Sequence, residues 1–477
     1  MATFPFVSME DPLPSYLVAS PSYSFRCRLL IIMTVSASTT ESGVCDDTWL
    51  DNLLERLREH RLHPFVEVIV AWNMSMLCLL YYAISFLTIR WNIITQKYFG
   101  LAKKDEFFPL MTSPKGKPEI RSNSELYREI QAKVTEATGS QFESLSDGAL
   151  VDLIRSDAIL RRLVSNLFQK SDVSTVITDT PRWKRLWPRL LELPELPPIQ
   201  GSDQSKKNAE IMIALILPAF REEGGRILRT LRTAVGYCAN KQRVQIIIVN
   251  AGQCTDMDQV NDYLASCGTS QSSRIVDYAD GGGRGPTLDY GTRFVSSDVI
   301  IMTFLHSDTL LPKHWDASVR SKWSGEKRRK KVQATAFLFG QDKSPEGLNG
   351  GPFPWGIVSV QLLGNSRAWA LNLPYGDHVL SIPVAYYRHV GGFPAQPIME
   401  DYELMDYFRR RARIRDDETL KIIFSMVRTG VRRWQAHGVV YVTLVNALIV
   451  IRYQRGWTPD EIFSYYYVRP NKKKKLE

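Results

Sequence analysis

Four short apolar runs in the second half of the chain alternate with polar turns and with helical patterns. Each run has the length of a strand and carries almost no charge, which is typical of strands buried on both faces of a sheet. The runs cover Glu210–Leu217, Val244–Val249, Ser273–Val276 and Val299–Leu305. A helix is predicted between the first two, over Glu223–Gly236. Buried strands separated by helices indicate a mostly parallel sheet with helices on both faces. The pattern therefore predicts an α/β domain over residues 206–425.

The chain on either side of this domain predicts helices rather than strands. Residues 1–64 read as a leader followed by an amphipathic helix, whose apolar positions recur at helical spacing. Residues 92–205 contain three further helical patterns and end in a linker rich in Pro, Gly, Ser and Lys. Residues 426–477 predict a helical segment followed by a basic tail. The α/β domain is thus expected to carry an N-terminal helical extension and a C-terminal helical segment.

One N-terminal segment, residues 65–91, predicts contact with a membrane. No charged residue occurs from Val68 to Ile89, and a helix of that length can cross the ~30 Å hydrocarbon core of a bilayer. We therefore expect a transmembrane helix here and membrane association of the protein. A buried core helix, or an amphipathic helix lying on a surface, is the alternative.

The two ends of the chain carry features that bear on cellular location. The first 45 residues are rich in Ser, Thr and Pro and poor in acids after Asp11, which fits an organelle-targeting leader or plain disorder. The chain ends in Lys474-Lys475-Leu476-Glu477. This end resembles a dilysine signal for retrieval to the endoplasmic reticulum, and a solvated basic tail explains it equally well. The expectation is a single-pass membrane protein of the endoplasmic reticulum or Golgi, with organelle targeting as the alternative.

Charge and cysteine content narrow the classes of partner. The formal net charge of +10 favours anionic partners such as nucleotides, nucleic acid or a membrane surface. Much of that charge is local, in the basic runs Lys327–Lys331 and Lys472–Lys475, so no nucleic-acid partner is expected from it. The six cysteines show no Cys-x-x-Cys spacing and no pairing with histidines, which argues against a zinc site.

Polar features follow three of the predicted strands. They are Pro218–Glu223, Asn250–Asp256 and His306–Asp308. In open parallel sheets, ligands bind at the carboxyl ends of the strands, so these features are expected to meet at one edge. An aspartate that leaves a buried strand, together with the basic, glycine-rich loop around Arg284, suggests a diphosphate held through a divalent ion. An ordinary turn at the end of a strand is the alternative for His306–Asp308.

Three stretches carry a resemblance to a known family, in order and over about residues 210–415. The first stretch is ILPAFREEGGRILRTLRTA with VQIIIVNAGQCTD, the second is DGGGRGPTLDYGTRFVSSDVIIMTFLHSDTLLP, and the third is PYGDHVLSIPVAYYRHVGGFPAQPIMEDYELMDYFRRRA. Together they resemble the motifs of family 2 glycosyltransferases. The chain is most similar to the small branch of that family with an HAD-type metal motif. The resemblance implies a GT-A fold with a Rossmann-like sheet, a nucleotide-diphosphate sugar donor, and Mg²⁺ or Mn²⁺ as cofactor.

The resemblance also assigns roles on the donor side. The nucleotide pocket would be lined by Pro218, Ala219, Phe220 and Glu222. Asn250 would face the nucleotide base, and Arg284 would contact the donor phosphates. Asp308 would coordinate the metal, which bridges the diphosphate oxygens and neutralises the departing charge. Glu222 alone is equally well explained as an acid in the first turn of a helix. His306 is expected to be a core histidine rather than a metal ligand.

On the acceptor side, the resemblance makes Asp401, beside Glu400, the general base that deprotonates the acceptor hydroxyl. Asp401 can also cap the helix that follows it, and the two roles are compatible. The loop Gly391-Gly392-Phe393 would present the acceptor, since glycine allows close approach of the backbone. Arg432, Arg433 and Trp434 resemble an Arg-Arg-Trp element of the family that could bring a cation and an aromatic platform to either substrate. A helix start with a solvated basic face is the alternative.

Three positions depart from the family pattern. Asn250 stands where the family has an aspartate, so a hydrogen bond to the base remains available but the negative charge is lost. Pro286 stands where a second cation is expected, and Asp289 where the family has asparagine. Losing a cation and gaining an anion near a diphosphate is expected to weaken donor binding.

The expected function is therefore metal-dependent, inverting transfer of a sugar from a nucleotide-diphosphate sugar to the hydroxyl of an unknown acceptor. A non-catalytic scaffold or binding protein with the same fold is the first alternative, because of the three departures. A nucleotidyltransferase, which also places an aspartate, a nucleotide and a metal at a strand end, is the second. The nucleotidyltransferase reaction would give no role to the segments Gly391-Gly392-Phe393 and Met399-Glu400-Asp401.

Overall fold

The structure is a computed structural model, and it describes the α/β domain almost completely. The described residues are 53–57, 65–76, 79, 123–157, 160, 163–164, 186, 196, 211–252, 254–279, 283–323, 331–414, 418–454 and 457–467. Several expectations concern residues outside this set. They are the leader, the second half of the 65–91 segment, most of the linker before residue 206, Gly281-Gly282, most of the Lys327–Lys331 run and the dilysine-like end.

The centre of the molecule is an eight-stranded sheet with the strand order β3-β2-β1-β4-β7-β6-β8-β5. The strands are β1 (Met212–Ala219), β2 (Val244–Asn250), β3 (Arg274–Asp277), β4 (Val299–Phe304), β5 (Thr309–Leu310), β6 (Lys331–Gln341), β7 (Leu380–Pro383) and β8 (Glu418–Thr429). The pairs β1–β2, β2–β3, β1–β4 and β6–β8 are parallel, and β7 runs antiparallel to both of its neighbours. The predicted α/β fold with a mostly parallel sheet is confirmed, and the sheet also contains antiparallel pairs.

Helices cover both faces of the sheet. They are α1 (Asn123–Thr138), α2 (Asp147–Ser156), α3 (Gly224–Gly236), α4 (Met257–Ser266), α5 (Arg284–Thr292), α6 (Trp315–Arg320), α7 (Pro345–Leu348), α8 (Ile357–Leu371), α9 (Val384–His389), α10 (Glu400–Ile414), α11 (Arg432–His437), α12 (Val439–Gln454) and α13 (Pro459–Tyr467). Helices α1 and α2 form a small core of their own.

Alternate side chains of β1 enter different cores, because successive residues of a strand point to opposite faces. Ile213, Leu215 and Leu217 join the core under α3, α4 and α6. Ala214 and Ile216 join the larger core, which includes residues of α5, α10 and α12. Both faces of β1 are thus buried, which explains why its sequence is apolar throughout.

A helix of residues 65–76 packs against the α/β domain. Val70, Ala71 and Met74 belong to the larger core, and the Oε1 atom of Glu67 accepts the N–H groups of Val439 and Val440 at the start of α12. The transmembrane helix expected over residues 65–91 is not confirmed. In the part of the chain that the structure describes, no helix is long and apolar enough to span a bilayer.

Candidate active site

The carboxyl ends of β1, β2 and β3 lie side by side at the predicted nucleotide edge. Ala219 pairs with Asn250, and Asn250 pairs with Asp277. The side-chain amide of Asn250 donates to an Asp277 carboxylate oxygen over 2.8 Å, and its own oxygen accepts the N–H of Gly252 over 3.2 Å. Asp277 is exposed. The negative charge that Asn250 lacks is therefore present on its direct neighbour.

The other residues predicted for the nucleotide pocket follow β1. Phe220 is 51% exposed, and the guanidinium of Arg221 lies 4.9 Å from its ring centroid. The Glu222 carboxylate accepts from Arg226 over 3.3 Å and from the Ser307 hydroxyl over 3.3 Å. An exposed aromatic ring and a fixed carboxylate therefore border the same edge of the sheet.

The turn His306-Ser307-Asp308 is held on both sides. Just before it, the N–H of Leu305 donates to the carbonyl of Ile216 over 2.9 Å, and within it the Ser307 carbonyl accepts from the Thr230 hydroxyl over 2.7 Å. Just after it, β5 pairs with β8. Because the backbone is fixed at these points, the side chains of His306 and Asp308 have defined positions.

Two glycines let α5 approach the segment that precedes α10. A Cβ atom on Gly283 would lie 2.5 Å from the Cα of Pro397, and one on Gly285 would lie 2.8 Å from the Cβ of Glu400. Gly283 also has φ = 96°, in the region that favours glycine. The Gly-Arg-Gly sequence thus brings Arg284 directly against the predicted base.

The guanidinium of Arg284 binds three side chains. It donates to Glu400, to the Asp401 Oδ2 atom over 3.0 Å, and to the His306 Nε2 atom over 3.2 Å. The Arg284 side chain is still 38% exposed. The sequence predicted donor phosphates as its partners, and in the structure its contacts are with the predicted base and its neighbours.

The environments of Glu400 and Asp401 move their pKa values in opposite directions. Burial raises the pKa of Glu400, and the Arg284 charge opposes this only in part. Burial alone would also raise the pKa of Asp401. The Arg284 charge and the N–H groups of Gly376 (2.7 Å) and Tyr402 (2.7 Å) outweigh burial and hold that pKa below its ordinary value. Pairs of carboxyls separated in this way commonly have different catalytic roles.

Exposure also favours Asp401 over Glu400 as the base. The Asp401 side chain is 13% exposed and that of Glu400 only 1%. A base must come within hydrogen-bond reach of the acceptor hydroxyl. Of the two carboxyls, Asp401 therefore has the lowered pKa and the greater exposure.

His306 is a neutral histidine in this cluster. Burial, and then the nearby Arg284 charge, lower its pKa to about 3. Since arginine only donates hydrogen bonds, the His306 Nε2 atom accepts from Arg284, which places the proton on Nδ1. His306 thus orients the guanidinium that holds Asp401.

On the other side of the turn, Asp308 and Glu222 converge on Arg432. The Arg432 Nη2 atom lies 3.3 Å from an Asp308 oxygen and 3.2 Å from a Glu222 oxygen. Burial raises the pKa of Asp308, and the Arg432 charge opposes this. Gly430 leaves room for the pair, because a Cβ there would lie 2.9 Å from the Asp308 Oδ2 atom.

These two carboxylates suit a divalent cation. They already accommodate one positive group, the Arg432 guanidinium, between them. Among the described residues there is no group of three or more His, Cys, Asp or Glu side chains that could hold a metal ion. Mg²⁺ in nucleotide sites is commonly bound by one or two carboxylates plus the substrate phosphates, so this donor set fits an ion that arrives with a diphosphate.

The Gly391-Gly392-Phe393 loop is fastened by Asp289. The Tyr387 hydroxyl donates to the Asp289 Oδ1 atom over 2.9 Å and accepts the N–H of Phe393 over 2.9 Å. A Cβ on Gly392 would lie 2.6 Å from the same Asp289 oxygen. The carboxylate that departs from the family pattern therefore helps to hold the predicted acceptor loop.

Replacement of Asp289 by alanine should lower the free energy of unfolding by about 1–3 kcal/mol, because the buried Tyr387 hydroxyl loses an acceptor. Asparagine at this position keeps an acceptor oxygen and should stay close to the native stability. Urea unfolding of the two variants measures the difference. Equal stability of the alanine and asparagine variants would show that the Tyr387 bond does not fasten the loop.

The Arg-Arg-Trp element lies at the start of α11 and divides between two environments. Arg432 reaches Asp308 and Glu222, whereas the Arg433 guanidinium lies 3.6 Å from the centroid of the Tyr466 ring in α13. Trp434 packs against the larger core. Of the three residues, Arg432 is therefore the one placed beside the predicted metal ligand.

This chain is similar to several solved protein structures. No known family profile matches the chain, and no curated protein matches it. A mannosyltransferase, PcManGT from Pyrobaculum calidifontis in complex with GDP-Man and Mn²⁺, is 14% identical with a TM-score of 0.37, over 67% of this chain and 81% of that chain. Residues 1–349 of TarS from S. aureus are 10% identical with a TM-score of 0.33, over 56% and 76%.

A third solved structure is glucosyl-3-phosphoglycerate synthase from Mycobacterium tuberculosis, in complex with Mn²⁺, UDP and glucosyl-3-phosphoglycerate. It is 16% identical with a TM-score of 0.31, over 55% of this chain and 88% of that chain. All three structures share 16% or less of their residues with this chain.

Two site residues were not found from the sequence. Asp277 ends a strand whose burial pattern is weak, and only its pairing with Asn250 shows its place. Gly376 holds Asp401 through a backbone N–H, a contact that no side-chain motif reports. The Gly-Asp stretch that contains Gly376 was part of the resemblance and is the one available signal for it.

Proposed function

We propose that this chain is a glycosyltransferase with a GT-A fold, which transfers a sugar from a nucleotide-diphosphate sugar to an acceptor hydroxyl with inversion. The observation that supports this best is the turn at residues 306–308. Its His306 side chain lies against the Arg284–Asp401 cluster, and its Asp308 side chain lies against Arg432 and Glu222. One short turn thus carries the candidate metal ligand, Asp308, and the histidine that contacts Arg284, the partner of the candidate base Asp401.

Asp401 acts as the base in this proposal. Its ionised carboxylate takes the proton of the acceptor hydroxyl as the acceptor oxygen forms a bond to the anomeric carbon. The bond from that carbon to the diphosphate breaks in the same displacement, and a nucleoside diphosphate leaves. Arg284 and the Gly376 N–H hold the carboxylate in place throughout.

Asp308 would hold a Mg²⁺ or Mn²⁺ ion, with Glu222, which contacts the same Arg432 nitrogen, as a second carboxylate. A divalent ion bound there supplies positive charge to the departing diphosphate. Arg432, which contacts both carboxylates, would add a second positive charge beside the departing diphosphate. The exposed Phe220 ring and the Asn250–Asp277 pair would face the nucleotide base.

Replacement of Asp308 by alanine should abolish measurable transfer and weaken donor binding in the presence of Mn²⁺ by about tenfold or more, since a charge-assisted ligand is lost. Calorimetric titration of nucleotide-diphosphate sugars, with and without Mn²⁺, measures the binding. Asp298→Ala, at an exposed site before β4, is the matched control.

The outcomes separate the competing functions. Release of a nucleoside diphosphate, lost in Asp308→Ala and kept in Asp298→Ala, supports the transferase. Release of pyrophosphate would instead support a nucleotidyltransferase. No heat with any donor would support a non-catalytic protein of the same fold.

A further inference from the structure

Two neighbouring helices carry outward faces with no charged side chain. Exposed apolar residues on this side include Ile69 and Met76 on the 65–76 helix, Trp355 in the turn before α8, Leu362 and Trp369 on α8, and Phe424 on β8. We call these six residues the uncharged surface. Water-exposed helices normally carry charged or polar residues on the outer face, so this arrangement needs an explanation.

The residues of this surface follow helical periodicity. Seven residues separate Trp355 from Leu362, and seven more separate Leu362 from Trp369. This spacing places Leu362 and Trp369 on one face of α8, with Trp355, just before the helix, in line with them. They are 63%, 41% and 56% exposed. The row is about 20 Å long at 1.5 Å per residue. Ile69 and Met76 are also seven residues apart.

The few charged residues of the two helices are turned inward. Arg367, the one charged residue of α8, stacks on Tyr375 at 3.4 Å and donates through Nε to the Leu373 carbonyl over 3.0 Å. Glu67, the one charged residue of the 65–76 helix, accepts backbone N–H groups at the start of α12. Asn73 donates its side-chain amide to the Ile69 carbonyl over 2.8 Å. These three side chains are thus bonded within the protein.

Contacts connect the parts into one surface. A Cβ on Gly356, at the start of α8, would lie 3.3 Å from the Ala71 Cβ of the 65–76 helix. Further along α8, the Gln361 side chain lies 3.7 Å from the Met426 sulfur, two residues from Phe424. Phe424 is 78% exposed.

We propose that the uncharged surface binds the interfacial region of a lipid bilayer. Tryptophan residues mark both ends of the α8 row, and tryptophan favours the boundary between headgroups and acyl chains. The Lys343 ammonium lies 5.4 Å from the Trp355 ring centroid and adds a cation at the edge. The net charge of +10 complements anionic headgroups. The uncharged sequence that begins at Val68 continues from the 65–76 helix to Ile89. This inference does not depend on the proposed transfer reaction.

Flotation of the full-length protein with vesicles of phosphatidylcholine and phosphatidylserine tests the proposal. The wild type should float with the vesicles, and the double variant Trp355→Glu, Trp369→Glu should bind at least about tenfold more weakly, because two large apolar side chains no longer enter the bilayer. The matched control is Tyr237→Glu. Tyr237 is a 41% exposed aromatic residue at the end of α3, which packs on the other face of the sheet.

Melting temperatures of the variants check folding, since exposed substitutions away from special features change stability little. Retained flotation of the double variant would overturn the proposal, because the uncharged run to Ile89 or another part of the chain would then account for binding. A wild type that fails to float would overturn it as well. A dimer in sedimentation without vesicles that the double variant abolishes, with no flotation, would assign the surface to a second copy of the chain.

Discussion

Replacement of Asp401 by asparagine should lower kcat for sugar transfer about 100- to 10,000-fold, while donor binding stays close to the wild-type value. Asparagine keeps the shape of the side chain, and its oxygen can still accept the N–H of Gly376. It cannot take a proton from the acceptor. Because the loss lies in the chemical step, kcat and kcat/KM should fall together.

Glu400→Gln is the matched control for this experiment. Glu400 is adjacent in sequence and also bonded to Arg284, but its side chain is buried and cannot reach an acceptor. Its replacement should change stability more than kcat. Full activity of Asp401→Asn, or a larger loss of kcat in Glu400→Gln, would move the role of base away from Asp401.

Replacement of Arg284 by glutamine should move the acid limb of the kcat/KM profile to higher pH. Asp401 accepts a proton only when ionised, and in the native site its pKa lies below the ordinary value of 3.8. Without Arg284, burial still favours the protonated form, and the Gly376 and Tyr402 N–H groups oppose it without the help of the Arg284 charge. The pKa of Asp401 therefore rises, and activity begins to fall at a higher pH.

The same change should reduce stability at neutral pH. A carboxyl whose pKa is depressed on folding stabilises the protein above its unfolded pKa, and this contribution disappears as pH falls through the folded pKa. The Arg284–Asp401 contribution is thus present at neutral pH and is lost below about pH 4. We expect a loss of ~1–3 kcal/mol, less than for a fully buried pair, because the Arg284 side chain is more than a third exposed.

Arg388→Gln serves as the control for charge removal, since Arg388 is exposed on α9. It should leave both the pH profile and the urea midpoint unchanged. An unchanged acid limb in Arg284→Gln would show that Arg284 does not set the ionisation of the base.

The strands could be predicted from the sequence because their apolar runs are continuous. Sheet geometry then brings Ala219, Asn250 and the 306–308 turn to one edge, as expected for parallel strands. The helix predicted from Glu223 begins at Gly224. These features depend on local pattern and on the general behaviour of α/β sheets.

Partners of individual side chains could not be predicted in the same way. Arg284 and Asp401 are 117 residues apart, and nothing in either local sequence shows that they bond. Asp289 was expected to weaken diphosphate binding, yet its carboxylate accepts from Tyr387, 98 residues away. Asn250 lacks the charge of the aspartate in the family pattern, and in the structure its amide donates to the Asp277 carboxylate of the next strand. Such pairings follow from tertiary packing alone.

The contact between Glu67 and α12 has a consequence for how the chain can be divided. It joins residues 372 positions apart, across the boundary predicted near residue 205. A fragment that began at residue 206 would leave the Val439 and Val440 amides without their acceptor and would uncover the core beside Gly356. The smallest fragment suited to expression therefore has to retain residues 53–76, or receive them as a separate peptide. In this molecule the α/β domain is completed by sequence that precedes it.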